Sequence, residues 1–337
     1  MAYELVLLEG DGIGPEVSDA TVAVLAAAGV AIDWLRMPAG AGAVPAHGTP
    51  LPDSTLRAIE RCRVALKGPI TTPVGGGFTS VNVAIRQALD LYVSLRPVRS
   101  IPGLRTRHEG VDLVIFRENT EGLYKGMEHE PVPGVVETLR IISADACRRI
   151  CRWAGDWARA EGRRRLTLVH KATIMKQSDG LFLKSFHEVG EAYPFLRRDD
   201  ALVDDVVREL VLDPTGFDCL VMENLYGDVL SDLCAGLVGG LGVVPGANIG
   251  DRYAVFEAVH GSAPDIAGKG LANPTALIQS AVLLLRHIGE RSAAARIERA
   301  LLSVLAAGQV RTRDLGGTAD TAGFRDAVIA ALAQEAA

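Results

Sequence analysis

The stretch Cys219–Met222, CLVM, runs through one residue into Asn224–Asp232, NLYGDVLSD, and its reading decides the fold. Four consecutive apolar residues read as a buried strand, and the polar segment after them as the start of a helix. On that helix Asp228 and Asp232 lie four apart, so their carboxylates stack on one face. Two anions so placed repel unless a positive group sits between them. A hard divalent cation such as Mg²⁺ or Mn²⁺ accepts carboxylate oxygens readily. Taken alone, a D-x-x-x-D pair is more often a solvated helix face. The following residues 233–250, LCAGLVGGLGVVPGANIG, favour the metal reading. Their glycines allow close backbone approach, and a strand-to-helix junction is where α/β proteins place ligand chemistry.

The 337 residues are ample for a large core and point to two domains or one elaborate one. A net charge of -6 with no basic tract excludes an electrostatic case for nucleic acid. No apolar run approaches membrane-spanning length, so no membrane association is expected. The opening MAYELVLLEGDG carries Glu4 and Glu9 around LVLL and reads as a first strand rather than a signal peptide. Five scattered cysteines without a CxxC read as reduced core thiols of a cytoplasmic protein.

Residues 3–8 form a strand entering GDGIGPEV, followed by a helix with Val17, Ala20, Val24 and Ala28 on one face. Gly10, Gly12 and Gly14 do not fit G-x-G-x-x-G, so they read as a tight turn rather than a dinucleotide fingerprint. A strand at 32–37, a helix from Asp53 and the strand in VALKGPI continue an alternation that argues for a mainly parallel sheet covered on both faces. In residues 71–98 Gly75–Gly77 mark a mobile or ligand-hugging loop. A helix then carries Arg86, with Arg96 just before Pro97, the proline that ends it.

Arg86 and Arg96, with Ser80 and Asn82 upstream, make a receptor for a multiply carboxylated ligand, since guanidinium forks match carboxylates. Arg117 joins them at the end of the strand VDLVIF, and Tyr124 follows in a loop. Lys171 closes another strand, where it can carry a proton. Asp204 and Asp205 open a helix, as the helix dipole favours. The loop 254–274 holds Glu257, His260, Asp265 and Asn273 and suits an adenosine or ribose.

From GDGIGPE through SVNVAIRQALDLYVSLRPV, FRENTEGLY, HKATIMK, NLYGDVLSD and HGSAPDIAGKGLANPTA to TRDLGG, nearly the whole chain resembles one family. It is similar to the decarboxylating β-hydroxyacid dehydrogenases, which act on isocitrate, homoisocitrate, 3-isopropylmalate or tartrate, and most to the NAD-dependent isocitrate dehydrogenases. The resemblance implies an α/β fold with a central mixed sheet flanked by helices and no GxGxxG Rossmann domain. Residues 1–98 with 250–337 would form a large cofactor-binding domain, and 99–249 a small domain with substrate and metal residues and the dimer interface.

By the same resemblance, Asp228 and Asp232 of one protomer, with Asp204 of the other, hold Mg²⁺ or Mn²⁺, in a homodimer with shared sites. Arg86, Arg96 and Arg117 hold a tricarboxylate-like substrate, Lys171 of the second protomer assists hydroxyl deprotonation, and Tyr124 protonates the enolate. Ser80 and Asn82 replace an apolar pocket and favour the γ-carboxylate of isocitrate. NAD is expected against Thr72, Glu257, His260, Gly261, Ala263, Asp265, Ile266, Asn273 and Asp314. Asp265 and Ile266 stand where NADP enzymes tend to carry Lys-Tyr, and an aspartate repels a 2′-phosphate. Glu9 and Thr173 depart from the usual proline and asparagine. Alternatives are the same reaction on phosphonomethylmalate, homoisocitrate or isopropylmalate, and a non-catalytic regulatory role in a heteromer.

Overall fold

The computed structural model describes residues 2–73 and 80–335. The expected glycine loop Gly75–Gly77 lies outside the described residues. In chain order the strands are β1 (Tyr3–Leu8), β2 (Ile32–Arg36), β3 (Val64–Lys67), β4 (Val93–Arg99), β5 (Asp112–Glu118) and β6 (Gly122–Val132). Then follow β7 (Val135–Ile141), β8 (Arg165–His170), β9 (Arg197–Leu202), β10 (Cys219–Met222), β11 (Pro245–Ile249) and β12 (Ala254–Ala258). Among the described residues ten strands make one sheet in the order β2-β1-β3-β12-β11-β4-β5-β10-β8-β9, and β6 and β7 form a separate hairpin.

The sheet is mixed. β2, β1, β3 and β12 run parallel to one another, as do β5, β10, β8 and β9. Between these blocks the pairings of β12 with β11, β11 with β4 and β4 with β5 are all antiparallel. The two parallel blocks therefore point in opposite directions. β11 lies between β12 and β4.

Strands buried on both faces need no alternation, which is why CLVM in β10 is buried at all four positions. Helices supply the alternation instead. Helix Ala144–Ala160, capped by Ser143, buries Cys147, Ile150, Cys151, Ala154 and Ala158 on one stripe. From β5, Phe116 meets Trp153 and Trp157 of that helix edge-on. One hydrophobic cluster runs from Leu7 and Leu66 through Phe116 and Val221 to Phe256 and Leu285, so both blocks share a core. Val6, Leu8 and Ala65 face the opposite side, against Ile59 and Ile85.

One expected element is corrected. The helix with Arg86 ends at Ala88, and Arg96 lies within β4. Asp90 turns the chain at φ 48°, and the apolar run Leu91–Val93 then enters the sheet. Pairing with β11 stops at Leu95, so at Pro97 only β5 adjoins the strand and the missing N–H is tolerated. All five cysteines are free, and burial pushes the Cys147 and Cys234 thiols up to about 12. No helix among the described residues is long and apolar enough to cross a membrane.

Candidate active site

At the centre of the sheet, β4, β5, β12 and the helices Val81–Ala88 and Asn224–Leu237 converge on a cavity of about 240 Å³. Each contributes one charge-bearing side chain or more. Arg86 comes from the first helix, Arg96 from β4, Arg117 from β5, and Asp228 and Asp232 from the second helix. Ser80, Asn82, Tyr124, His260 and Gly261 also line the cavity.

Two ion clusters organise this cavity. In one, the buried carboxylate of Glu257 meets Lys67 Nζ at 2.7 Å, Arg86 Nη2 at 3.2 Å and Arg96 Nη2 at 3.6 Å. Asn248 Nδ2 donates to it at 2.6 Å. Burial alone would raise the Glu257 carboxyl, but Lys67, Arg86 and Arg96 hold it well below the ordinary carboxylate range. Glu257 is thus on β12 and not in a loop as expected, and it lines the cavity beside the cations it gathers. Room for this packing comes from Gly246, where a Cβ would lie 1.7 Å from Arg96 Nη1.

In the second cluster, Arg117 Nε and Nη2 donate to Asn224 Oδ1 at 2.9 and 2.6 Å, and Nη1 pairs with Asp228. The Tyr124 hydroxyl also donates to Asp228, and the Arg117 guanidinium lies 5.0 Å from the Tyr124 ring centre. Tyr124 belongs to β6 rather than a loop. Burial tends to raise Asp228, but Arg117, Tyr124 and Arg86 bring it below its ordinary value. Asp232 goes the other way, raised by burial and by the neighbouring Asp228 charge. Tyr124 is raised by burial and by its bond to Asp228, which keeps the phenol protonated.

These features test whether the implied ligands fit. A cation placed against Asp228 and Asp232 would remove the repulsion that raises Asp232, so the donor set suits Mg²⁺ or Mn²⁺. Among the described residues no group of three His, Cys, Asp or Glu that could hold a metal is assembled. Among the described residues, Arg86 Nε, Arg96 Nε and Nη1 and Asn82 Oδ1 are buried without a hydrogen-bond partner. Orphaned guanidinium donors of this kind are satisfied by carboxylate oxygens.

The remaining expected residues lie outside this cavity. Lys171 Nζ pairs with Asp204, whose carboxyl that hydrogen bond lowers. Thr72 hydrogen-bonds Ser80 at 3.3 Å. Asn273 donates to Asp314 at 2.8 Å, joining two segments of the expected cofactor face. Ala263 has φ 39°, and Asp265 is exposed, its carbonyl accepting from Lys269 Nζ at 2.7 Å. Ile266 is half-buried, and Thr173 is exposed. Glu9 forms a surface pair with Arg36.

Sequence reasoning missed Lys67, Asn224, Asn248 and Asp11. Lys67 had a signal, since a lone charge ends the apolar run VALK at the ligand edge of the sheet. Asp11 accepts from the backbone N–H groups of Ala41, Gly42 and Thr71, at 3.1, 3.1 and 2.9 Å. It thereby ties the Gly10–Gly12 turn to the Ala41–Gly42 segment and to Thr71.

Fold and cavity together bring three guanidinium groups and a carboxylate pair to one place. Over residues 4–328 the chain matches the model of the isocitrate/isopropylmalate dehydrogenase family. It is 48% identical to the Arabidopsis thaliana mitochondrial isocitrate dehydrogenase [NAD] catalytic subunit 5, over 96% of this chain and 86% of that one. It is 46% identical to a mitochondrial isocitrate dehydrogenase [NAD] regulatory subunit of Dictyostelium discoideum, over 97% of this chain and 91% of that one. The crystal structure of isocitrate dehydrogenase from Methylococcus capsulatus superposes with a TM-score of 0.96 at 49% identity, covering 98% of this chain and 99% of that one. The chain belongs to the isocitrate/isopropylmalate dehydrogenase family and is a decarboxylating dehydrogenase.

Proposed function

We propose that the protein oxidatively decarboxylates isocitrate to 2-oxoglutarate and CO₂, with NAD as oxidant and Mg²⁺ or Mn²⁺ as cofactor. The observation that carries this reading is the convergence of Arg86, Arg96, Arg117, Tyr124, Asp228 and Asp232 on one cavity. The three guanidinium groups hold the carboxylates of the substrate, and Ser80 and Asn82 take the γ-carboxylate that separates isocitrate from isopropylmalate. Asp228 and Asp232, with Asp204 of a second copy, would hold the metal. When bound, the metal polarises the hydroxyl and adjoining carboxylate, and the nicotinamide accepts the hydride.

Lys171 of the second copy, as the neutral amine, takes the hydroxyl proton, and the ammonium that forms is paired by Asp204. Tyr124, kept protonated by burial and Asp228, returns a proton to the carbon that has lost CO₂. Arg117 spans substrate and Asp228, fixing one against the other. A homodimer supplies both halves of each site. Supporting it, the β6–β7 hairpin exposes Met127, Val132, Val135, Val136 and Leu139, and an isolated hairpin needs such a face covered. Five free thiols accord with a cytoplasmic, reducing location. Residues 1–98 with 250–337 would carry the cofactor together with Ser80, Asn82, Arg86 and Arg96, and 99–249 the metal groups with the remaining substrate residues.

The relative named as regulatory does not shift this reading, because every side chain given a catalytic role is present here. NADH formation with Mg²⁺ tests it, comparing isocitrate with homoisocitrate, isopropylmalate, malate, tartrate and phosphonomethylmalate. Isocitrate should give the highest kcat/KM, and a much better phosphonate substrate would replace it as the reading of Ser80 and Asn82. For the cofactor, replacing Asp265 by Lys together with Ile266 by Tyr should raise the NADP/NAD ratio of kcat/KM by about tenfold or more, the worth of one charge-assisted contact. An unchanged ratio would place the adenosine elsewhere.

A further inference from the structure

Arg140 lies on β7, outside the cavity, yet it joins the two groups of residues that the reaction must bring together. Its side chain is largely buried. Nη1 donates to Asp179 Oδ1 at 2.6 Å, and Nη2 lies 3.5 Å from Glu223 Oε1. The guanidinium sits 5.2 Å from the Tyr226 ring centre. Both carboxylates are buried, at 3% and 2% exposure, so they would repel strongly without the cation between them.

Each carboxylate has a second task. Asp179 Oδ2 accepts from the backbone N–H of Lys171 at 2.6 Å, fixing the residue whose side chain pairs with Asp204. Glu223 caps helix Asn224–Leu237, its Oε1 accepting from Tyr226 N at 2.9 Å, and that helix carries Asp228 and Asp232. One guanidinium fork therefore holds the Lys171–Asp204 segment in register with the helix of the aspartate pair. The planar guanidinium hydrogen-bonds Asp179 through Nη1 while its Nη2 stays at ion-pair distance from Glu223 and its face lies over Tyr226.

We infer that Arg140 is a positioning residue that sets the Lys171–Asp204 pair against helix Asn224–Leu237. The inference rests on the proposed reading, in which Lys171 and Asp204 serve the cavity of the second copy while Asp228 and Asp232 serve their own. Arg140 then links one active site of the dimer to the other.

The test uses a heterodimer of a Lys171→Met chain with an Asp228→Asn chain, in which one cavity alone keeps a native Lys171 and a native Asp228. Activity in this heterodimer, with neither parent homodimer active, supports the shared site. Its absence removes that reading and the inference with it. Arg140→Gln is then placed on the chain that donates Lys171 to the intact cavity. The kcat should fall by about tenfold or more while KM for isocitrate stays within about threefold, the result of displaced rather than missing reacting groups.

In the Arg140→Gln homodimer, Mn²⁺ affinity measured calorimetrically without substrate should weaken by about tenfold, the scale for loss of a supporting contact. Arg140→Lys should recover thermal stability but neither kcat nor Mn²⁺ affinity, since a point charge cannot bridge both carboxylates. It carries the same measurements if Arg140→Gln does not fold. Unchanged kcat and Mn²⁺ affinity beside a lowered melting temperature would overturn the inference and leave Arg140 a purely structural ion pair. Full recovery of all three by lysine would do the same.

Discussion

Asp228→Asn is expected to lower metal-dependent turnover by about 10³-fold or more and to leave the fold intact. Asp228 sits where three demands meet: it faces the cavity, pairs with Arg117 and accepts from the Tyr124 hydroxyl. Its carboxyl is held below the ordinary value, so it is anionic throughout the neutral range. An amide keeps the shape and one acceptor but removes the charge that a divalent cation requires. It also leaves the Arg117 guanidinium, 2% exposed, without its anionic partner. Loss of a single preorganised charge-stabilising group commonly lowers kcat by about 10²–10³-fold, and loss of the proposed metal site would add to it.

The fold should persist because the Asp228 side chain is 41% exposed and lies on the cavity wall rather than in the core. Turnover at saturating Mn²⁺ and a thermal unfolding curve check both halves. Turnover within about tenfold of the native enzyme would sink the metal assignment.

Glu257→Gln acts on stability first. Native Glu257 is the only carboxylate, among the described residues, within ion-pair distance of Lys67, Arg86 and Arg96. Those cations are themselves 2%, 8% and 3% exposed. Removing the anion strands three positive charges in a poorly solvated centre, and breaking a buried ion pair from one side destabilises by about 3–5 kcal/mol. Denaturant unfolding should register that loss, and substrate affinity should change with it, because Arg86 and Arg96 lose their anchor. A stability change under about 1 kcal/mol would show that water or relaxation compensates the cluster.

The pH dependence has a definite sign. Glu257's folded carboxyl lies well below its unfolded value of 4.5, so its contribution is fully present above that value. It is lost progressively as pH falls below about 4.5 towards the folded value, and Glu257→Gln should flatten acid unfolding in that window. Asp232, raised by burial and Asp228, opposes it with the reverse sign: it destabilises once ionised and ceases to do so on protonation.

Individual residues show how far the sequence could be read. Asp228 and Asp232 were legible because a helix of fixed pitch converts a four-residue spacing into a shared face, whatever the rest of the chain does. Arg117 was legible because its strand ends in charge. Arg96 was legible as a candidate for the cavity that it now lines but was misplaced in a helix, since the boundary at Ala88 depends on sheet partners that local pattern does not contain. Alternating strands and helices made a mainly parallel sheet legible, and the likeness to the family supplied its mixed character, whereas the antiparallel pairing of β11 with β4 joins segments about 150 positions apart that local pattern does not connect.

The sequence by itself determined the alternating α/β elements, the carboxylate pair, the arginine inventory and the likeness to one dehydrogenase family. Each follows from residue type and short-range spacing, which a linear string preserves. Tertiary structure alone decided the partners of those charges. Glu257 finds Arg86 across 171 positions and Arg117 finds Asn224 across 107. It also showed Lys67 to be buried beneath the arginines and Arg140 to be the bridge between Asp179 and Glu223. The physical reason is that a buried charge is stable only beside its counter-charge. The identity of that counter-charge depends on which strands the sheet brings side by side.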